Sequence, residues 1–336
     1  MSTIKDVAER AGVARSTVSH ALNGNYPVSD ETRKRVLAAA SQLDYHPDAI
    51  ASSLRSRRTH ITGLAIPLDV PDRSLSHSSF SQFIECIADE LSRYDYRLLC
   101  LISHSPEAPE LVRLAHEGHV DGMLLLQMRV DDPRVDALRA TGLPFVAMGR
   151  PVKTRDCIWI EHDLRGGAGI AVEHLLHAGH RRIAFLGDNP VFGYQYNALA
   201  GFRQAHRTFK LPWQRELILH CESVQEVGTA LSPFADRQAG PTALITTTDI
   251  EAVAALHALL GMGLRVPGDV AIVTLGDSVF TQLVQPPITA VYYSVEDFCR
   301  LAVQTLLTMI AGEHPVQQHQ ILPMTLIPRG STTWSR

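Results

Sequence analysis

The sequence predicts a small all-α headpiece followed by a larger α/β body of two Rossmann-like lobes. Three observations carry this. Up to residue 47 the apolar positions recur at spacings of three and four, broken by glycine and by cap residues. From Ile61 onward short apolar runs alternate with helical stretches, the pattern of βαβ units around a parallel sheet, and the alternation occurs twice. At 336 residues the chain also exceeds one ordinary domain. The expected division is 1–47 for the headpiece, 48–60 for a hinge helix and linker, and 61–336 for the body.

Thr3-Ile4-Lys5-Asp6 opens the first helix as a capping box would: the Thr3 hydroxyl can take an orphan amide, and Asp6 is favourable near the positive helix end. Ile4, Val7, Ala8 and Ala11 form its apolar stripe, and Gly12 supplies the break. In a second helix from Arg15 to Leu22, spacing puts Val18, Ala21 and Leu22 inward and Arg15, Ser16, Ser19, His20 and Asn23 outward. Ser29 caps a third helix, with Asp30 and Glu31 in its first turn and Val36, Leu37, Ala40 and Leu43 as its buried side. Two short helices across a tight turn, the second presenting donors, fit a major groove; by periodicity alone a generic helical bundle stays equally open. Residues 48–56 are an Ala/Ser/Leu segment too short to hold a helix alone in water.

In the body, Gly63–Ile66, Leu98–Ile102, Met123–Leu126 and Phe145–Met148 read as strands of a first lobe. Ile183–Leu186, Ala243–Ile245 and Ala271–Val273 read as strands of a second. Ligands in such sheets bind beyond the carboxyl ends of strands, which directs attention to a cleft between the lobes.

Composition agrees with a globular chain: 45% hydrophobic and 20% charged residues can bury a core and exclude wholesale disorder. The net charge of −4 divides into +3 over residues 1–60 and −7 over the remainder, so any polyanion suits one end only. The five cysteines, Cys86, Cys100, Cys157, Cys221 and Cys299, lack CxxC spacing and are expected as buried thiols in a reducing compartment. The first residues are not a charged-then-apolar leader, and no apolar run approaches the roughly 20 residues that span a bilayer, so a soluble cytoplasmic protein is expected.

The strings Thr3-Ile4-Lys5-Asp6-Val7-Ala8, Ala11-Gly12-Val13, Ser16-Thr17-Val18-Ser19-His20-Ala21-Leu22-Asn23, Val28-Ser29-Asp30-Glu31-Thr32-Arg33 and Tyr45-His46-Pro47-Asp48-Ala49-Ile50-Ala51 closely resemble the headpiece of the lactose-repressor (LacI/GalR) family. The resemblance continues in Val120-Asp121-Gly122, Ala178-Gly179-His180-Arg181-Arg182-Ile183-Ala184, Ala200-Gly201-Phe202, Arg265-Val266-Pro267-Gly268-Asp269-Val270 and Gln285-Pro286-Pro287-Ile288-Thr289. It implies a helix-turn-helix headpiece on a periplasmic-binding-protein-like effector domain whose lobes exchange strands, about 61–160 plus 292–322 and about 161–291 plus 323–336. It further implies a homodimeric transcriptional regulator, a repressor, that binds pseudo-palindromic operator DNA and responds to a small molecule without any cofactor.

Carried over by position, base reading falls on Arg15, Ser16 and His20, with Thr3, Thr17, Ser19 and Asn23 toward phosphates. Leu54, beside Ala51, occupies the place of a minor-groove wedge, and Arg55, Arg57 and Arg58 that of phosphate anchors. Ala14 stands where the family has a capping serine, and His20 where arginine is commoner. In the cleft, Ala198 replaces an effector-clamping arginine and Gly276 an aspartate. Phe80, Phe192, Tyr194 and Tyr196 are expected to line the cleft, with Arg150, Asp163, Asn197, Asp249 and Asp277 as its polar groups. Stacking on aromatic faces then favours neutral polyols or glycosides, with flat aromatic metabolites second and anions disfavoured.

Two other classes were weighed. An enzyme lacks a motif: His116-Glu117-Gly118-His119 does not have zinc-protease spacing, Gly166-Gly167-Ala168-Gly169 is no dinucleotide fingerprint, and no P-loop or GxSxG is present. The steps of three between His174, His177 and His180 lie on a stretch that otherwise reads as surface helix and turn. A free binding protein of the same fold would not carry the headpiece.

Overall fold

The computed structural model describes residues 2–23, 27–45, 58–67, 78–103, 105, 108–153, 156–187, 191–212, 214–221 and 223–333. The chain divides into two units, Met1–Thr59 and His60–Arg336.

The first unit holds helices α1 (Ile4–Ala11), α2 (Arg15–Asn23) and α3 (Asp30–Gln42). Thr3 and Asp6 form the capping box, the Asp6 carboxylate taking the Thr3 amide at 2.7 Å and the Thr3 hydroxyl taking the Asp6 amide at 3.4 Å. Gly12 ends α1 at φ +65°, a left-handed turn that glycine enters at no steric cost. Val7, Ala8, Ala11, Val18, Ala21, Val36, Ala39 and Ala40 form the core. Leu37 is not part of it, being half exposed; Ala39 takes its place, because Val36, Ala39 and Ala40 follow the three-and-four rule that Leu37 breaks.

The second unit contains two six-stranded sheets. The first runs β2 (Arg97–Ser103), β1 (Ile61–Pro67), β3 (Gly122–Leu126), β4 (Phe145–Met148), β5 (Trp159–His162), β11 (His319–Leu322), all parallel. The second runs β7 (Ile218–His220), β6 (Ile183–Gly187), β8 (Ala243–Thr246), β9 (Ala271–Thr274), β10 (Thr289–Tyr292), β12 (Thr325–Ile327), with only β12 antiparallel to its neighbour.

Helices cover both faces of each sheet, which is why these strands read as continuous apolar runs. Alternate residues of β1 and β3, Leu64 and Ile66 with Leu124 and Leu126, pack against α4 (Ser78–Ser92) and α12 (Val295–Ile310). The opposite set, Ala65 with Met123 and Leu125, packs against α5 (Pro109–Glu117) and α6 (Pro133–Thr141). In the second lobe Ile183, Phe185 and Ile245 face α7 (Leu164–His177) and α8 (Gly193–Thr208). Leu186, Leu244 and Ile272 face the short α9 (Val227–Ala230) and α10 (Asp249–Gly261). The chain therefore passes between lobes three times, after β5, after β10 and between β11 and β12. Among the described residues no helix is long and apolar enough to cross a membrane. The cysteines are not uniformly buried: Cys221 and Cys299 are, Cys86 and Cys157 are half-buried, and Cys100 is exposed on edge strand β2.

Candidate functional site

The first candidate surface is α2. Arg15 and Ser16 are exposed, while Thr17 and His20 are half-buried. Ser19 is 9% exposed, so the outward face is narrower than periodicity suggested. Thr3 spends its hydroxyl on the capping box, donating to the Asp6 carboxylate at 2.9 Å. Asn23 ends the helix. Ala51, Leu54 and Arg55 lie outside the described residues.

The second site is a cavity of about 150 Å³ between the lobes, at the carboxyl ends of their strands. Lobe one contributes an aromatic wall of Phe80, Phe83 and Phe298 together with Glu161 and His162; lobe two contributes Tyr194, Thr248 and Asp249. Phe80, Tyr194, Asp249 and Asp277 are thus brought together as the sequence reading placed them.

Other expected residues go elsewhere. Phe192 is buried at the start of α8 under the Arg129 guanidinium, 5.5 Å from its ring centre. Tyr196 is 39% exposed, because two residues along a helix from Tyr194 is 200° around it. Asp163 caps α7 through the Gly166 amide at 2.9 Å. Arg150 lies over the Trp159 ring, 5.3 Å away. Asp277, although it lines the cavity, is engaged by Arg329 through two bonds and by the Thr281 hydroxyl.

Asn197 works one step behind the cavity. Its amide nitrogen donates to Glu161 Oε1 across the lobes at 2.7 Å, and Arg165 Nε donates to its oxygen at 3.2 Å. Ala198 is fully buried, packed in one cluster with Phe202 and the α7 residues rather than lining the cavity. At Gly276 a β-carbon would meet the Tyr293 ring at an ordinary 3.7 Å, but the backbone stands at φ +143°, where an aspartate would be strained.

Sequence reading missed Glu161 and His162. Both are buried at the carboxyl end of β5, at 6% and 7% exposure. Burial pushes the Glu161 carboxyl up to about 7, although the Asn197 bond and the nearby Arg150 and Arg165 pull it back. Burial drives His162 down to about 4 against a hydrogen bond with the Ser294 main chain, so its imidazole is neutral. Its ring is held between Tyr293 and Phe298, with centroids at 4.0 and 4.3 Å, and its Nε2 has no partner among the described residues. The available signal was an acid and a histidine closing an apolar run just before the Asp163 cap.

At the rim, the lobes join by backbone. The Gly193 amide donates to the Met128 carbonyl and the Val130 amide to the Val191 carbonyl, each at 2.8 Å. A buried pair, Arg134 with Asp132, anchors that loop, and Arg134 also donates to the Leu126 and Gln127 carbonyls.

Residues 3–48 match the family model for bacterial regulatory proteins of the lacI family, and residues 172–332 that for a periplasmic binding protein-like domain. The HTH-type transcriptional regulator CelR of Thermobifida fusca is 30% identical over 333 residues, 98% of each chain. This chain belongs to the lacI family of bacterial regulatory proteins. Among solved structures, a CelR–cellobiose complex is 29% identical with TM-score 0.73, covering 98% of this chain and 100% of that one. The lac repressor dimer bound to operator and the anti-inducer ONPF is 25% identical with TM-score 0.84, covering 98% and 99%. As a family member the protein is an HTH-type transcriptional regulator with a periplasmic-binding-protein-like body.

Proposed function

We propose that the protein represses transcription as a homodimer on a pseudo-palindromic operator and that a small molecule of the sugar class, held between the lobes, sets its operator affinity. The observation that carries this is the cavity between two strand-exchanged lobes in a chain whose first residues form a helix-turn-helix. The lac repressor dimer on operator and the CelR–cellobiose complex support the two halves of the reading by likeness.

In it, Arg15, Ser16 and His20 read base edges, Arg15 with the two-pronged geometry suited to guanine, while Thr3, Thr17, Ser19, Asn23 and Arg55 engage the backbone. Leu54, beside Ala51, wedges the operator centre, so Leu54→Ala weakens specific binding far more than non-specific binding. The reading includes no catalytic step and no cofactor, and a regulator acting on the bacterial chromosome works in the cytoplasm.

The test is selection of operator sites from random DNA, then footprinting and ligand titration on the selected site. Paired protection of two half-sites, with Asp249→Ala abolishing the ligand response, is the expected result. Protection of one isolated half-site by a monomer sinks it.

A further inference from the structure

The cavity lining combines hydroxyl and amide groups that both donate and accept with the acceptors Glu161, His162, Asp249 and Asp277. His162 is the most specific of them. Its neutral imidazole bonds the Ser294 main chain through one nitrogen, and the other, Nε2, is buried without a partner among the described residues, in a residue that lines the cavity. A neutral imidazole that donates from one nitrogen offers a bare lone pair on the other. The ring cannot swing away, because Tyr293 and Phe298 clasp it on both sides. An unmet acceptor in such a place is costly unless a ligand supplies a donor.

Glu161 and Asp249 add carboxyls from opposite lobes. Among the described residues that line the cavity there is no lysine or arginine. Among the described residues, three guanidiniums are turned to other work: Arg150 over Trp159, Arg165 on Asn197 and Arg329 on Asp277. Phe80, Phe83, Tyr293 and Phe298 supply ring faces, which attract cations as well as apolar surface.

We propose that the ligand carries a basic nitrogen, an ammonium group donating among the acceptors His162 Nε2, Glu161 and Asp249 while its remainder lies against the aromatic wall. An ammonium brings three donors, no acceptor and a positive charge, which matches such a lining better than a hydroxyl, itself half acceptor. This rests on the cleft being the ligand site and narrows the sugar class to amino-bearing members or amines of similar size. A second consequence separates amine from neutral ligand. A neutral molecule dries the cleft further and drives Glu161 to take up protons, whereas an ammonium draws its carboxyl down and releases them. Arg150, Arg165 and Asn197 act on Glu161 in either case and do not change that sign.

The experiment titrates the full-length protein calorimetrically with glucosamine against glucose and tyramine against tyrosol, pairs that share a skeleton and exchange amine for hydroxyl. At least one amine should bind about tenfold tighter than its partner or better. Tyramine, fully protonated near neutrality, should release protons on binding, read as a heat that changes with the buffer's ionisation enthalpy. Glu161→Gln should remove both the preference and the proton release. His162→Phe, which retains a ring between Tyr293 and Phe298, should weaken the amine about tenfold. The melting temperature of each variant reports its fold, and Asp249→Asn replaces any variant that does not fold. Equal or tighter binding of the hydroxyl partners, or proton uptake, overturns the basic nitrogen and leaves the ligand cleft standing. Binding of none of the four at about 10 mM, well above ordinary ligand affinities, also overturns it. Failure of the regulator reading would show separately, as no DNA selected.

Discussion

Arg329 reaches Asp277 across 52 residues of sequence in a two-pronged bridge, with Nη1 at 2.7 Å from Oδ1 and Nη2 at 2.6 Å from Oδ2. The pair is largely buried, at 16% and 7% side-chain exposure, and Arg329 also donates to the Ile288 carbonyl. It pins the chain's last stretch to the second lobe and removes Asp277 from the set of groups free to hold a ligand. Arg329→Ala should therefore destabilise the body by about 3 kcal/mol, measured by denaturant unfolding, because it strands a buried carboxylate.

The same carboxylate gives a pH signature. Burial works to raise it, and the hydrogen bonds from Arg329 and Thr281 more than reverse that, so it lies below the usual aspartate range. A depressed folded value gives stability that is present above the unfolded value and lost as pH falls through the folded one. Asp277→Asn should be less stable than the parent at neutral pH, and the gap should close only below about pH 4. A gap unchanged down to strong acid would show that the bridge contributes nothing.

Gly193 offers a steric test of the rim. A β-carbon there would stand 2.5 Å from the Arg150 carbonyl oxygen, main chain that cannot step aside. Gly193→Ala should cost about 1–3 kcal/mol and lower the melting temperature, and it should loosen the bond from this residue to Met128. Faster amide exchange at residues 128–130 and 191–193 is the measurement.

On the headpiece, Arg15→Ala should weaken binding to a selected operator by about 1–3 kcal/mol and relax preference at one base position in each half-site. Uniform loss on all DNA would make Arg15 a phosphate contact instead.

Exposed apolar side chains predict the dimer surface. Leu283, Val279 and Phe280, on α11 (Val279–Leu283), are 78%, 57% and 46% exposed, and Leu260 of the adjoining α10 is 44% exposed. Large exposed residues grouped on neighbouring helices mark an interface. Leu283→Asp together with Phe280→Asp should shift the protein to monomer in sedimentation and abolish paired half-site protection.

Much of this architecture was legible because burial on both faces forces uninterrupted apolar runs in the central strands, and edge strand β2 carries such a run although mostly exposed: each of the seven strands read from the sequence lies within or along a strand of the sheets. Trp159–His162 escaped because a glutamate and a histidine interrupt it, and those two residues matter most to the cavity. Local pattern detects hydrophobic burial and is blind to polar side chains buried by a second lobe. Tyr196 failed for the converse reason. Its type suited a cleft, but its angle around α8 decided otherwise, just as Leu37 lost its core place to Ala39. Ala198 and Gly276 were informative as absences, yet only the backbone shows that Gly276 stands at φ +143°, a conformation an aspartate rarely adopts.

The exchange of strands has a consequence for biosynthesis. The first sheet ends with β11, made only after β6 to β10 of the second lobe have been translated, and β12 follows two residues later to close the other sheet. Neither lobe is complete while the chain is still emerging, so both wait on its final segment. Pairings that distant in sequence carry a large loop-closure penalty and set a slow pace. A ribosome stalled before Gln318 should thus expose two unfinished sheet edges together.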